Sequence, residues 1–203
     1  MRLVTSKENI YFCFFYAPGE HHDTPIRRSF YDFFTKAYDK FAPLGKVYLI
    51  GDTNARLGPL LNDTDINGKS MSNRNKNLLL SFLEFSGLKV LNKRYQFGIP
   101  TYEIKGKKRS IIDMCFTNSN SSVIDFKVLP YFLGFSSQTC HKVLRLTINL
   151  EKHFTSCVCK APKYKRFRTP SHQEQKEVVI SVCNKIFYLL DTEDLKVLLT
   201  ILP

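Results

Sequence analysis

The sequence predicts an α/β fold, and three observations carry that prediction. Residues 47–50 form a continuous apolar run with two β-branched residues and a tyrosine, ending at Gly51. So short a run suits a strand buried on both faces better than a helix. An amphipathic stretch at 24–41 separates it from an earlier apolar run at 10–17, which gives the order strand, helix, strand. A third apolar run, 111–117, is interrupted by one carboxylate, Asp113. A buried carboxylate is costly unless it is paired or belongs to a site.

Structure begins almost at once. Residues 10–17 read as a buried strand closed by Pro18, which cannot extend a ladder and pushes Ala17 to an extended conformation. His21, His22 and Asp23 follow in a loop, where paired histidines serve either as metal ligands or as solvated loop residues. Thr24 as a capping hydroxyl and Pro25 at the first helical position start a helix. Its apolar stripe is Ile26, Phe30, Phe33, Phe34, Ala37 and Phe41, with Arg27, Arg28, Asp32, Lys36 and Lys40 on the opposite face. Pro43 ends it.

The strand at 47–50 then delivers Asp52 and Asn54, two positions apart, into a polar loop. α/β folds place their chemistry at such strand ends, although Gly-Asp is also a common turn. The loop at 58–75 is long and polar, and loops of that length are either functional or disordered. A second helix is expected from about Asn73 to Ser86, carried by Leu78, Leu79, Phe82, Leu83 and Phe85 and stopped by Gly87. Short strands are expected at 88–91 and 101–105, the second running into the basic residues Lys105, Lys107, Lys108 and Arg109. Strands at 111–117, 123–129 and 143–148 complete the list, with the loop 136–141 before the last.

The composition changes near Glu151, so three parts are expected: a main domain at 1–150, a basic linker at 151–170 and a helical segment at 171–203. Residues 160–168 interleave Lys163, Lys165, Arg166 and Arg168 with Tyr164 and Phe167. That pattern serves either to hold phosphates and stack on bases or as a solvated linker. Ser171 and Glu174 form a capping-box pair ahead of helical periodicity at Val178, Val182, Ile186 and Leu190, and a last apolar helix is expected at 195–202.

With 203 residues the chain has room for one domain with a sizeable core. A net charge of +12 favours a polyanionic partner, nucleic acid or an acidic membrane surface. No run of 18 apolar residues exists, so no membrane span is expected. The N-terminus lacks the apolar core of a secretion signal, which points to the nucleus or cytoplasm. Six cysteines without regular spacing imply a reducing compartment, with Cys13 and Cys115 acting as small buried hydrophobes. Cys157 and Cys159 near His153 make only half a zinc set.

Taken together and in order, these residues resemble the endonuclease/exonuclease/phosphatase superfamily, the DNase I-like fold. Within it they are most similar to the endonuclease domain of LINE-type non-LTR retrotransposons. Tyr16-Ala17-Pro18 resembles the tyrosine motif. The stretch from Gly51 to Gly58 resembles Gly-Asp-Phe-Asn-Ala-x-x-Gly, with Thr53 for phenylalanine. Asn75 to Phe82 resembles Asn-Gly-x-x-Leu-x-x-Phe, with Lys76 for glycine. Ile112-Asp113-Met114 resembles Ile-Asp-Tyr, Thr139-Cys140-His141 stands where Ser-Asp-His is expected, and Thr101-Tyr102 stands where Thr-Trp is usual. The likeness covers about residues 10–150.

The resemblance implies a four-layer α/β sandwich and Mg²⁺-dependent phosphodiester hydrolysis of DNA. In the retrotransposon branch it implies nicking of the target to prime reverse transcription. Tyr16 would support the scissile phosphate, and Asp52 and Asn54 would position and activate water. Asp113 would fix the tautomer of His141, whose imidazole would stabilise charge on phosphorus. Lys107, Lys108, Arg109, Lys165, Arg166 and Arg168 would contact nucleic acid.

Two departures bear on activity. The opening segment of the family, with its asparagine and metal-binding glutamate, has no counterpart, so the sandwich is expected to be incomplete at the N-terminus. Cys140 replaces an aspartate near the metal, a soft thiol where Mg²⁺ prefers hard oxygen. The sequence therefore leads to an endonuclease with weakened metal binding and weak or lost hydrolysis. The alternatives are a non-catalytic nucleic-acid-binding remnant or, if missing strands leave a core face open, a chain with no stable fold.

Overall fold

The computed structural model describes residues 1–5, 9–104, 107–129, 140–149, 154–158 and 199–200. Strand β3 (Gly45–Asp52) lies within a six-stranded sheet, and its last six residues are all buried. Strand β2 (Asn9–Tyr16) pairs with it in parallel, from Asn9 opposite Gly45 to Tyr16 opposite Asp52. The helix between them, α1 (Thr24–Phe41), supplies the crossover that a parallel pair needs. Gly51 is required here, because a Cβ at that position would lie 1.9 Å from the Phe15 carbonyl oxygen. On the other side β7 (Asp113–Thr117) runs antiparallel to β3, and β4 (Lys89–Val90) closes that edge. The opposite edge is built from β1 (Arg2–Thr5) and β10 (Phe154–Val158).

Alternation along these strands fills two cores. Val47, Leu49, Met114 and Phe116 face α1 and α2 (Lys76–Ser86). Tyr48, Ile50, Phe12 and Cys115 face a second sheet made of β8 (Val123–Leu129) and β9 (Val143–Ile148). Among the described residues the layers are therefore helices, a six-stranded sheet and a second sheet, a mixed α/β architecture. Rings from three elements lock the helical layer: Phe15 lies 4.7 Å from Phe34, and Phe34 lies 5.0 Å from Phe82. Each buried ring contributes on the order of 2 kcal/mol. Gly87 caps α2 in the left-handed region at φ 63°, as its position in the sequence suggested.

Several elements differ from expectation. The buried face of α1 is Arg27, Tyr31, Phe34 and Tyr38, while Ile26 and Phe33 are exposed. The helix is rotated because its polar atoms find partners inside: Tyr31 donates to the Thr53 carbonyl and Tyr38 to that of Ser86. Asp23, not Thr24, occupies the cap, and the Thr24 hydroxyl instead accepts from Arg27 at 2.8 Å. The strand expected at 88–91 shortens to β4 and leads into a short helix, α3 (Leu91–Tyr95). Lys108 and Arg109 of the basic run belong to β6 (Lys108–Ser110), which pairs antiparallel with β5 (Tyr102–Ile104) as a hairpin. Within the stretch read as a final helix, Leu199–Thr200 form β11, paired with β9. Helix expectations for the rest of 171–203 lie outside the described residues. No helix among the described residues is long and apolar enough to cross a membrane.

Candidate active site

Asp52 and Asp113 stand directly opposite one another in the β3–β7 pairing. They share the sheet face of Ile50 and Cys115, so both carboxylates point toward the second sheet where the strands run out. Thr53 continues the pairing beyond the strands, with its amide and hydroxyl both donating to the Ile112 carbonyl at 2.8 and 2.7 Å. Asn92, fully buried, clips the outer edge of β7: it donates to the Asp113 carbonyl at 3.0 Å and accepts from the Cys115 amide at 2.9 Å.

His141 joins the acids through the β5 hairpin. It forms an antiparallel bridge with Tyr102. The Glu103 amide donates to the Cys140 carbonyl at 2.8 Å, and the Lys142 amide donates to the Thr101 carbonyl at 2.6 Å. The fully buried Thr101 also accepts from the Ile112 and Asp113 amides through its hydroxyl, at 3.1 and 2.9 Å. One residue thus holds the backbone on both sides of the pair. The outcome is His141 Nδ1 donating to both Asp113 oxygens at 3.0 Å, which fixes the tautomer. The Tyr102 ring meets the imidazole edge to face at 4.8 Å.

Asn54 reaches the site through its backbone. Its amide donates to Asp52 Oδ1 at 2.7 Å, while its side chain is tied to the Ala17 carbonyl at 2.8 Å. That geometry requires a left-handed φ of 45°, held by Asn73 and Asn75, which both donate to the Asn54 carbonyl. Asn75 also donates to Pro18 and accepts from buried Arg27. Tyr16 lies one strand away from Asp52, with its ring 69% exposed. The structure therefore gathers Asp52, Asp113 and His141, joins Asn54 to Asp52 by its main chain, and leaves Tyr16 open beside them.

Burial raises the Asp52 carboxyl to about 6, and the charge of Asp113 adds to this, against the Asn54 amide and His141. The hydrogen bond to Asp113 raises the His141 imidazole above its usual range, helped by the charges of Asp113 and Asp52 and opposed by burial. Asp52, Asp113 and His141 each offer a donor atom within 4.8 Å of the others. Two carboxylate oxygens and an imidazole nitrogen form a donor set that suits a divalent cation. Three groups that could hold a cation thus come together, and neither of the two carboxylates that the resemblance calls for and the sequence lacks is among them. Cys140 precedes His141 in the chain and is half-buried; burial, with the Cys140 thiol adding to it, raises the Tyr102 hydroxyl.

Of the residues read as nucleic-acid contacts, Lys107 and Lys108 are exposed on the hairpin, and Lys108 lies over the Tyr102 ring at 5.6 Å. The Arg109 guanidinium turns inward to the Thr64 hydroxyl and carbonyl. Lys165, Arg166 and Arg168 lie outside the described residues. The reading of single residues missed the positioning work of Asn92, Arg27 and Asn75. For Thr101 a signal existed, its place directly ahead of the basic hairpin. Nothing local marks Asn92, whose partners come from 21 and 23 positions away.

No family model matches the sequence, and no curated protein matches it. Solved structures do. The endonuclease domain of TRAS1, a telomere-specific non-LTR retrotransposon, aligns with a TM-score of 0.54 at 19% identity, over 74% of this chain and 63% of that one. The chain shares its fold. A 3′ phosphatase from Neisseria, NExo, bound to a product DNA hairpin, aligns with a TM-score of 0.56 at 15% identity, over 73% of this chain and 65% of its own. NExo of Neisseria meningitidis, described as a 3′–5′ exonuclease, gives 0.55 at 14% over the same shares. This chain spans 63–65% of the length of these structures.

Proposed function

We propose that this chain is a divalent-cation-dependent phosphodiesterase acting on DNA, an endonuclease domain of the non-LTR retrotransposon kind, with slow turnover. The observation that carries this reading is the Asp113–His141 pair set against Asp52 at the ends of two paired strands. Phosphodiester hydrolysis needs a base for water and a positive or hydrogen-bonding group on the phosphoryl oxygens. Asp52, oriented by the Asn54 amide, takes the proton from water as the water oxygen bonds to phosphorus. The bond from phosphorus to the leaving sugar oxygen breaks, and that oxygen takes a proton from solvent. His141, held by Asp113 with its charged form favoured, donates to a nonbridging oxygen as charge builds there. Tyr16 lines the approach, and Lys107 and Lys108 hold flanking phosphates. A bound divalent cation, held by the Asp52 and Asp113 carboxylates, would neutralise phosphate charge and make water more acidic.

Slow turnover follows from Cys140, a thiol where the resemblance calls for a carboxylate. The test is nicking of supercoiled DNA with Mg²⁺ or Mn²⁺ present. His141→Ala is expected to lower the rate by about a hundredfold or more, and Cys140→Asp to raise it. Cys140 also favours a second reading, a nucleic-acid-binding remnant. If wild type and Cys140→Asp both bind DNA in a gel shift and neither nicks it, the second reading stands and the first falls.

A further inference from the structure

Two exposed rings beside the acids bear on the state of the DNA that enters this site. We propose that Phe14 and Tyr16 form a stacking strip for unpaired bases next to the scissile phosphate, so that single-stranded or locally opened DNA is bound in preference to closed duplex. The strip rests on the phosphodiesterase reading above, yet it is tested by binding alone, with chelator present, so either can fail without the other.

Register puts the two rings there. Side chains alternate along β2, and Ile10 and Phe12 of one face are buried in the core between the sheets. Phe14 and Tyr16 continue that same face, yet they stand 46% and 69% exposed. The ladder accounts for the change. Strand β1 covers β2 only as far as Phe12, whose amide and carbonyl both meet Met1 at 2.8 Å. Beyond that point the partner of β2 among the described residues is β3 alone. In this parallel pairing Phe14 lies opposite Ile50 and Tyr16 opposite Asp52. The rings therefore occupy the face from which the Asp52 and Asp113 carboxylates project.

Open aromatic faces beside a phosphodiester-cleaving pair of acids suit a ligand with flat faces of its own. Nucleobases supply them, and stacking of bases on aromatic side chains tolerates any sequence. Spacing decides the state of the DNA. Stacked bases repeat every 3.4 Å or so along a strand of duplex, about the rise of one strand residue. Side chains two residues apart leave a parallel-paired strand about 6.6 Å from one another. One base per ring thus requires neighbours drawn to roughly twice their duplex spacing, which costs least where the bases are already unpaired. Lys107 and Lys108, exposed on the hairpin, serve the phosphates and are indifferent to pairing.

The chain contains no tryptophan, so Phe14→Trp places a single fluorescent reporter in the strip. The full chain is titrated, with chelator and at near-physiological salt, against three probes of about twelve nucleotides. These are a single strand of mixed sequence, a stable abasic strand of the same length, and a blunt duplex. The single strand is expected to quench Trp fluorescence and the abasic strand to leave it unchanged. Wild type is expected to bind the single strand at least about tenfold more tightly than the duplex, and Phe14→Ala to lose about tenfold on the single strand only. Phe14→Tyr should restore the affinity, whereas Phe14→Leu, apolar without a ring face, should not. Equal quenching by the abasic strand would overturn the proposal. So would duplex bound as tightly as single strand, or Phe14→Leu binding as well as wild type. If Phe14→Ala does not fold, the quenching in Phe14→Trp and the wild-type preference decide the matter. Nicking by a chain that fails these tests leaves the phosphodiesterase reading in place and removes the strip.

Discussion

Asp63 and Asp52 are both almost wholly buried, at 1% and 7% exposure, yet burial treats them differently. Asp63 receives Arg56 in a two-point pairing at 2.9 and 2.7 Å and also accepts the Ile111 amide. Its charge is matched and its lone pairs are used. Asp52 receives a single amide, faces a second carboxylate, and is pushed up to about 6. Arg56 goes on to donate to the carbonyls of Thr64 and Arg109, so the first acid ties the 58–75 loop to the β6 hairpin. The second acid is tied to little, and its negative charge remains available to a proton or a cation. Between these two buried acids, incomplete pairing is what marks Asp52 as the candidate for function.

The largest effect should come from breaking the satisfied acid. Asp63→Ala strands the Arg56 cation in the interior and is expected to cost about 3–5 kcal/mol, read from urea denaturation. Next comes the unsatisfied acid, where the sign reverses. Because the folded-state carboxyl of Asp52 is raised, its stabilising protonated form is fully present below 3.8 and is lost as pH rises through about 6. Metal-free wild type should therefore weaken across that window. Asp52→Asn should be more stable by on the order of 1–3 kcal/mol above it, with no gain below it. His141 acts in the same direction at higher pH: its raised imidazole stabilises fully below 6.5 and less as pH climbs past that value. A denaturation series from pH 3.5 to 8 on both proteins separates the two contributions.

A smaller loss tests the bracket that joins the acids to the histidine. Thr101→Val removes the acceptor for two amides and is expected to cost about 2 kcal/mol in thermal unfolding. The smallest effect on stability belongs to the hairpin surface. Lys108→Ala gives up a cation–π contact worth about 0.5–1 kcal/mol at most. Its clearer signature is in DNA binding, where the slope of log K against log salt should fall by about 1.

The acids of the site were legible in the sequence because a carboxylate inside an apolar run is conspicuous. Asp113 stands in such a run, and Asp52 directly follows one through Gly51. What could not be read was their register, since nothing in either run states that residue 52 sits opposite 113. The face of α1 was misjudged for a related reason. Residue type alone marks Arg27 as solvent-facing, whereas its donors are met by the His22 carbonyl, Thr24 and Asn75. Strand β6 hid within a basic run because a two-stranded hairpin leaves its lysines in solvent, where charge patterning masks strand periodicity.

The bracket around Thr101 also bears on how the site comes apart. Asp52 and Asp113 belong to the central ladder and open only with it. The holds on residues 140–142 include two main-chain bonds, from the Glu103 amide to Cys140 and from the Lys142 amide to Thr101, the Lys142–Glu103 ion pair at 2.7 Å, the Tyr102 ring contact and the pairing of His141 with Asp113. Release of residues 140–142 would withdraw the imidazole while both acids stay in place, a partial opening well short of global unfolding. The two amides serve as its clock: deuterium uptake at Glu103 and Lys142 reports the fraction of molecules in which acids and histidine are together.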